Sequence, residues 1–375
     1  NTYGQLGDGT TTDRSSPVQV VDSSGNPLSG VAGSSSGINH AVYLKSDGTV
    51  WAVGRNNDGQ LGDGTTTDRS DPVQVLDSSG NALSGVVGVS AGVEHTVFLK
   101  ADGTVWATGG NAHGQLGDGT NTDRLYPIQV TYAGGFPLSD FVGVSAYGYH
   151  TVFLKNDRTV WAVGRNNDGQ LGDATTTNRS NPVQVVDAGG VPLSGVVSVS
   201  AGNVHSLFLK GDGTVWAVGD NTDGQLGDGT TTDRSNPVQV VDAVGTPLSS
   251  IVAVAGSNHS VFLKSDGSVW TVGFNNAGQL GDGTTSDRNH AERVKDALGN
   301  TLTLVAGIAA GNAHTILLKS DGTVWATGNN FNGQLGDGTN VNRSNPVQVA
   351  TQVQRLMEEF PPYFVSVATV SVPEN

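Results

Sequence analysis

The heptapeptide Gly-Gln-Leu-Gly-Asp-Gly-Thr starts at Gly4, Gly59, Gly114, Gly224, Gly278 and Gly333, and recurs at Gly169 with Ala174 in place of its third glycine. The copies are 55 residues apart, with a single interval of 54. Tryptophan keeps the same register at positions 51, 106, 161, 216, 270 and 325, and a histidine stands 11 residues before each, at 40, 95, 150, 205, 259 and 314. A fixed period of this order means that one supersecondary unit is copied and that neighbouring units bury each other's faces.

One copy reads as four short strands. Val196 to Ala201 alternates branched apolar and small residues, as an inner strand does where backbones crowd around an axis. After Gly202 a tight turn leads to His205–Lys210, and Gly211-Asp212-Gly213 turns the chain into Thr214–Gly219. A long loop then ends at Pro237–Val240, where proline fits an outermost strand with one unpaired edge. These positions are labelled A, B, C and D. With 54 glycines and 14% charged residues in 375, the composition favours turns and strands over helices. The expectation is an all-β protein, a β-propeller of four-stranded blades. Radial packing of blades predicts that Trp106, Trp161, Trp216 and Trp270 are buried between them, and that His95, His150, His205 and His259 bond to backbone groups.

The pattern His-Thr-Val-Phe-Leu-Lys-x-Asp-Gly-Thr-Val-Trp-Ala-Val-Gly, followed by Asn-x-x-Gly-Gln-Leu-Gly-Asp-Gly, resembles the repeat of the regulator of chromosome condensation family and covers nearly the whole chain. The resemblance implies a seven-bladed propeller. It also implies a scaffold shared by a nucleotide exchange factor for the GTPase Ran, by light receptors and by a bacterial protein inhibitor of β-lactamase, so function lies in the site rather than the fold.

The repeats span residues 1–349. They divide into six complete blades and a split seventh, with strand D at Pro17–Val20 and strand A at Phe364–Ala368 closing the ring. Strands B and C of that blade would precede Asn1. Residues 350–375 thus read as a closing segment that runs into a following domain of a larger polypeptide.

Repetition weakens several chemical readings. Six histidines at one place in six blades cannot converge on one ion, and Asp-Arg pairs such as Asp68-Arg69 and Asp123-Arg124 read as turn and inter-blade bridges. Asn56 to Gly64 has calcium-loop composition without the ligand spacing of such a loop, and no Gly-Lys-Ser/Thr follows the glycines to hold phosphate. No catalytic residue, metal site or cofactor is expected. A formal charge of −15 opposes nucleic acid, and no apolar run is long enough to insert in a membrane. A chain without cysteine suits an exported bacterial protein, extracellular or on the cell surface.

Where copies differ, function is expected. Strand alternation brings the A-to-B turns and C-to-D loops to one face, where Arg55, Glu94, Gly110 and Asp220 vary. The candidate ligand-binding residues on this face are His113, Tyr147, Tyr149, Arg165, Phe274 and Phe331. Tyr147 and Tyr149 flank a turn and should be exposed. The reading is a non-catalytic scaffold for a protein or glycan ligand. Its alternatives are a lyase-like propeller enzyme, a calcium-stabilised spacer and an exchange factor for a GTPase. Arg158 and Ala174 replace glycine in the third copy and predict a strained or altered turn.

Overall fold

A computed structural model describes residues 1–350. The first sheet comprises β1 (Val31–Ser36), β2 (His40–Lys45), β3 (Val50–Gly54) and β4 (Arg69–Gln74), antiparallel and in chain order from the inside out. The unit recurs as β5–β8 (86–129), β9–β12 (141–184), β13–β16 (196–239), β17–β20 (251–293) and β21–β24 (305–348). These are blades 1 to 6, and the described residues form an all-β propeller of six four-stranded blades. Strand D starts three residues earlier than expected, at Arg234 in blade 4, because a register shift after Ala217↔Val238 lets Arg234 still pair with Gly219.

Each blade hooks onto the next through the Gly-Asp-Gly-Thr loop. The amide of Gly64 donates to the Leu125 carbonyl (3.1 Å), that of Gly119 to Ser180 (2.9 Å) and that of Gly283 to Ser344 (2.9 Å). The series continues with Gly338 to Ser15 (3.0 Å) and Gly9 to Ser70 (3.2 Å), so residues 1–20 hold one place in the ring between blade 6 and blade 1. Pro17–Val20 nevertheless forms no strand, a correction to the expected strand D, since no described strand lies beside it to complete a ladder. The expected strand at 364–368 lies outside the described residues.

The consequence is visible on β1. Its residues are exposed or half-buried, with Val31 42% exposed, whereas the equivalent Val86 of β5, covered by the preceding blade, is 3% exposed. Between complete blades the core is dry: Phe98, Phe153, Phe208 and Phe262 of strand B are inaccessible.

The tryptophans are half-buried, not buried as predicted. Trp106 pairs across the sheet with Phe98 but sits one strand further out, where diverging blades leave a wider gap. Lysine stems fill that gap. Lys100 Nζ lies 4.9 Å from the Trp106 ring centre and Lys210 Nζ 4.9 Å from that of Trp216, cation over π face.

The histidines clasp neighbouring blades, but through side chains and not the backbone. Nε2 of His95 lies 2.9 Å from Thr151 Oγ1, that of His150 2.9 Å from Ser206 Oγ, and that of His205 2.9 Å from Ser260 Oγ. Each hydroxyl spends its hydrogen on a backbone carbonyl, as Ser206 does on Gln170 (2.8 Å), so Nε2–H must donate and Nδ1 carries the lone pair. Gly92 explains how the ring fits: a Cβ there would stand 2.2 Å from His95 Cε1. His314 of blade 6 has no such partner among the described residues, and Ala41 of blade 1 lacks the hydroxyl found at Thr96 and Thr151.

The arginines of the Asp-Arg pairs correct another expectation, because they bridge within a blade. Arg124 Nε and Nη2 both donate to Asp118 Oδ2 (2.9 and 2.6 Å), while Asp123 accepts from the Asn111 amide (2.7 Å). Burial would raise the Asp118 pKa, but bonds from Thr120 and Arg124 outweigh it and hold the carboxyl below its usual range.

Candidate functional site

The A-to-B turns and C-to-D loops do share a face, and the repeat fixes how they meet. The first residue after strand C donates its amide to the turn of its own blade: Arg55 to the Asn39 carbonyl, Gly110 to Glu94, Arg165 to Tyr149. Beneath them, the loop asparagine is inaccessible in blades 1 to 6 and holds the loop with its amide, as Asn111 does on Asp118 and the Thr120 and Thr122 carbonyls. Side chains above that floor vary without disturbing it.

Blades 1 to 3 carry a joined cluster. Arg55 spans two blades, with Nη2 3.2 Å from Asp58 Oδ2 and Nη1 3.3 Å from Glu94 Oε1. Burial, then the Asp58 charge, raises the Glu94 pKa, and Arg55 opposes both. His113 and Tyr149 meet edge to face with ring centres 5.2 Å apart, across the boundary between blades 2 and 3. Arg165 pairs with Asp168 at 3.2 Å. Burial, then the Arg165 charge, lowers the His113 pKa below the ordinary imidazole range. Of the sequence candidates, the structure therefore unites His113, Tyr149 and Arg165. Phe274 is half-buried in blade 5 and Phe331 is 68% exposed in blade 6, two and three blades away from Tyr149.

Tyr147 corrects the sequence reading. It ends β9 (Phe141–Tyr147), is only 8% exposed, and its hydroxyl accepts from Ser257 Oγ (3.3 Å) two blades away. The ring thus turns inward, packing in the cluster that includes Val199 and Ala201 of blade 4, where it is unavailable to a partner. A signal was present: Tyr147 stands where Gly37, Gly92 and Gly202 begin the turn, and strand A runs one residue longer there. Asp58 was missed as part of the cluster because an aspartate at this loop position is common to blades 1, 3 and 4.

A ring of four-stranded blades with a fixed loop floor and a variable rim defines a scaffold of the regulator-of-chromosome-condensation type. Comparison with known proteins agrees: the family model of the RCC1-like domain matches residues 127–368, and that of the Regulator of chromosome condensation (RCC1) repeat matches 1–44 and 47–99. The chain belongs to the RCC1 repeat family. It is 32% identical over 318 residues to the ultraviolet-B receptor UVR8 of Arabidopsis thaliana, covering 84% of this chain and 69% of the receptor. It is also 32% identical over 316 residues to the E3 ubiquitin-protein ligase HERC2 of Homo sapiens, of which it spans 6%. Among solved structures, human WBSCR16 superposes with a TM-score of 0.72 at 22% identity, covering 92% of this chain and 91% of that one. Yeast RCC1 (Prp20) bound to Kap60 gives 0.71 at 19%, covering 86% and 75%. These two likenesses are of fold.

Proposed function

We propose that the protein is a non-catalytic binding scaffold that presents the A-to-B and C-to-D loop face to a protein partner. The observation that carries this reading is the contrast between an invariant loop floor and a rim that changes from Arg55–Glu94–Asp58 through His113–Tyr149 to exposed Phe331. Tyr149 and Phe331 are stiff aromatic side chains that bury area at little entropic cost, and Arg165 beside Tyr149 completes a hot-spot composition. Yeast proteins of this fold bind proteins, Prp20 being solved with Kap60 and binding Gsp1p and histones, which supports protein over glycan as the ligand class. The reading also takes the ring to be closed to seven blades, residues 1–20 holding the seventh place, within a larger exported polypeptide.

The test is site-specific photocrosslinking. Benzoylphenylalanine at positions 149 and 331 should trap the same partner from native medium, and the same group at the B-to-C turn positions 102 and 212 should trap none. Crosslinks concentrated at 102 and 212 would place the partner on the opposite face and overturn the proposal.

A further inference from the structure

At the B-to-C end of the ring, one blade departs from the other five. In blades 1, 2, 4, 5 and 6 the lysine that ends strand B lies over the indole of strand C, with Nζ 5.1, 4.9, 4.9, 5.0 and 4.8 Å from the ring centre. In blade 3 no described cation stands over Trp161, and Lys155 Nζ lies 3.8 Å from Asp157 Oδ2 instead. The cause is in the hairpin that leads into strand A. Elsewhere an aspartate opens this turn and its Oδ1 accepts the amides two and four residues on, as Asp77 does from Ser79 and Asn81 (2.8 and 3.0 Å) and Asp187 from Gly189 and Val191 (2.8 and 3.0 Å). Asp22, Asp242 and Asp296 do the same. Before blade 3 this residue is Tyr132, which has no carboxylate, so the turn gives up both bonds and rests on Gly134 and Gly135 at φ 99° and 81°.

What the exchange gains is aromatic. Tyr132 meets Trp161 with ring centres 5.1 Å apart and planes at 72°, so the two rings form a corner. The Tyr132 amide donates to the Phe136 carbonyl (2.8 Å), which opposes the two residues across the hairpin and puts both side chains on one side of it. Phe136 is 72% exposed. Carboxylates border the corner: burial first, then the charges of Asp140 and Asp157, push the Tyr132 phenol above its usual pKa. Asp140 accepts from Ser139 Oγ (3.3 Å) and enters no ion pair among the described residues, and Arg158 is turned toward Gly211 of blade 4. We propose that this corner binds a quaternary ammonium group, the trimethylammonium of a choline-type ligand. Five internal copies show that this indole position holds a cation, and in blade 3 the chain's own cation is drawn aside. A quaternary ammonium has no hydrogen to donate and is attracted to ring faces and nearby negative charge, which Trp161, Tyr132 and Phe136 supply with Asp140 and Asp157. The site lies on the face opposite the loops and is independent of the partner proposed there.

The test uses isotope-labelled protein, whose six indole N–H resonances include one from Trp161, identified with Trp161→Phe. Choline chloride, exchanged for sodium chloride at fixed ionic strength, should shift the Trp161 resonance alone. Dimethylbutanol, the uncharged isostere with carbon in place of nitrogen, should shift none. Phosphatidylcholine vesicles form a second arm: loss of the Trp161 signal with vesicles assigns the ligand to a lipid headgroup, and a response to choline alone assigns it to a soluble molecule. Tyr132→Asp rebuilds the turn of the other blades and returns Lys155 to the indole, so it should raise the melting temperature and weaken choline binding by about tenfold or more. Phe136→Ala should weaken binding by about threefold and leave the melting temperature unchanged. An equal shift from dimethylbutanol, equal shifts of all the indoles, or undiminished choline binding by Tyr132→Asp would each overturn the proposal.

Discussion

Lowering the pH should unfold this protein well before its carboxylates are neutralised, because the clasps between blades are neutral histidines. Burial holds His95, His150 and His259 down to a pKa of about 3, and His40 and His205 to about 4, against an ordinary 6.5. The unfolded chain takes up these protons below pH 6.5 and the native one does not until pH 3–4, so stability is lost as pH falls through that window. At pH 5 each histidine that stays neutral costs about 1.36 kcal/mol per unit below 6.5, or about 2 kcal/mol. Five together remove about 10 kcal/mol, comparable with the whole stability of an ordinary domain at roughly 5–15 kcal/mol. The pH 5 figure requires only that the native pKa values lie below 5. Urea unfolding followed by tryptophan fluorescence at pH 7, 6 and 5 measures this directly. His205→Gln keeps a donor toward Ser260 Oγ without the titration, and should flatten the pH dependence by one proton. Equal stability at pH 7 and 5, or an unchanged slope in His205→Gln, would refute the reasoning.

Three further outcomes follow from packing and backbone. Phe208→Ala should cost about 3–5 kcal/mol in denaturant unfolding, and Trp216→Ala less, because the indole is half-exposed and the phenyl ring is not. Arg158 (φ 66°) and Ala174 (φ 63°) stand where Gly213 (φ 79°) and Gly229 (φ 83°) stand in the next blade, so Arg158→Gly and Ala174→Gly should each raise stability by roughly 1 kcal/mol. Ser260→Ala should cost about 1–3 kcal/mol by orphaning His205 Nε2–H and the Gln225 carbonyl together, which the shift in urea midpoint would report.

How far the sequence revealed the molecule depends on what each residue's periodicity reports. Strands A, B and C of blade 4 were legible almost to the residue, because alternation and Gly-Asp-Gly mark their ends. Strand D was less so, since Arg234 joins through a bulge that no alternation signals. A period shared by all blades also cannot tell radius, and Trp216 and Phe208 look equally buried in sequence although one lies further from the axis. On the candidate face the sequence singled out His113, Tyr149 and Arg165, which do adjoin, but their joining to Arg55, Asp58 and Glu94 depends on which loop overhangs which turn. Tyr147 misled because its neighbour Tyr149 is at the rim, while one residue of extra strand turns Tyr147 inward to the axis.

The histidine clasps all point the same way round, each blade gripping the next, from His40 on Thr96 to His259 on Thr315. Among the described residues the inner blades are thus held by two clasps each and blades 1 and 6 by one, which makes the two end blades the starting points for opening. Hydrogen exchange should therefore be fastest in blades 6 and 1 and slowest in blades 3 and 4, the two furthest along the chain of clasps from its ends. The same series gives a lineage of such proteins a natural place to gain or lose a unit: a copy added at an end of the series leaves every existing clasp intact, whereas one added within it must break a clasp to enter.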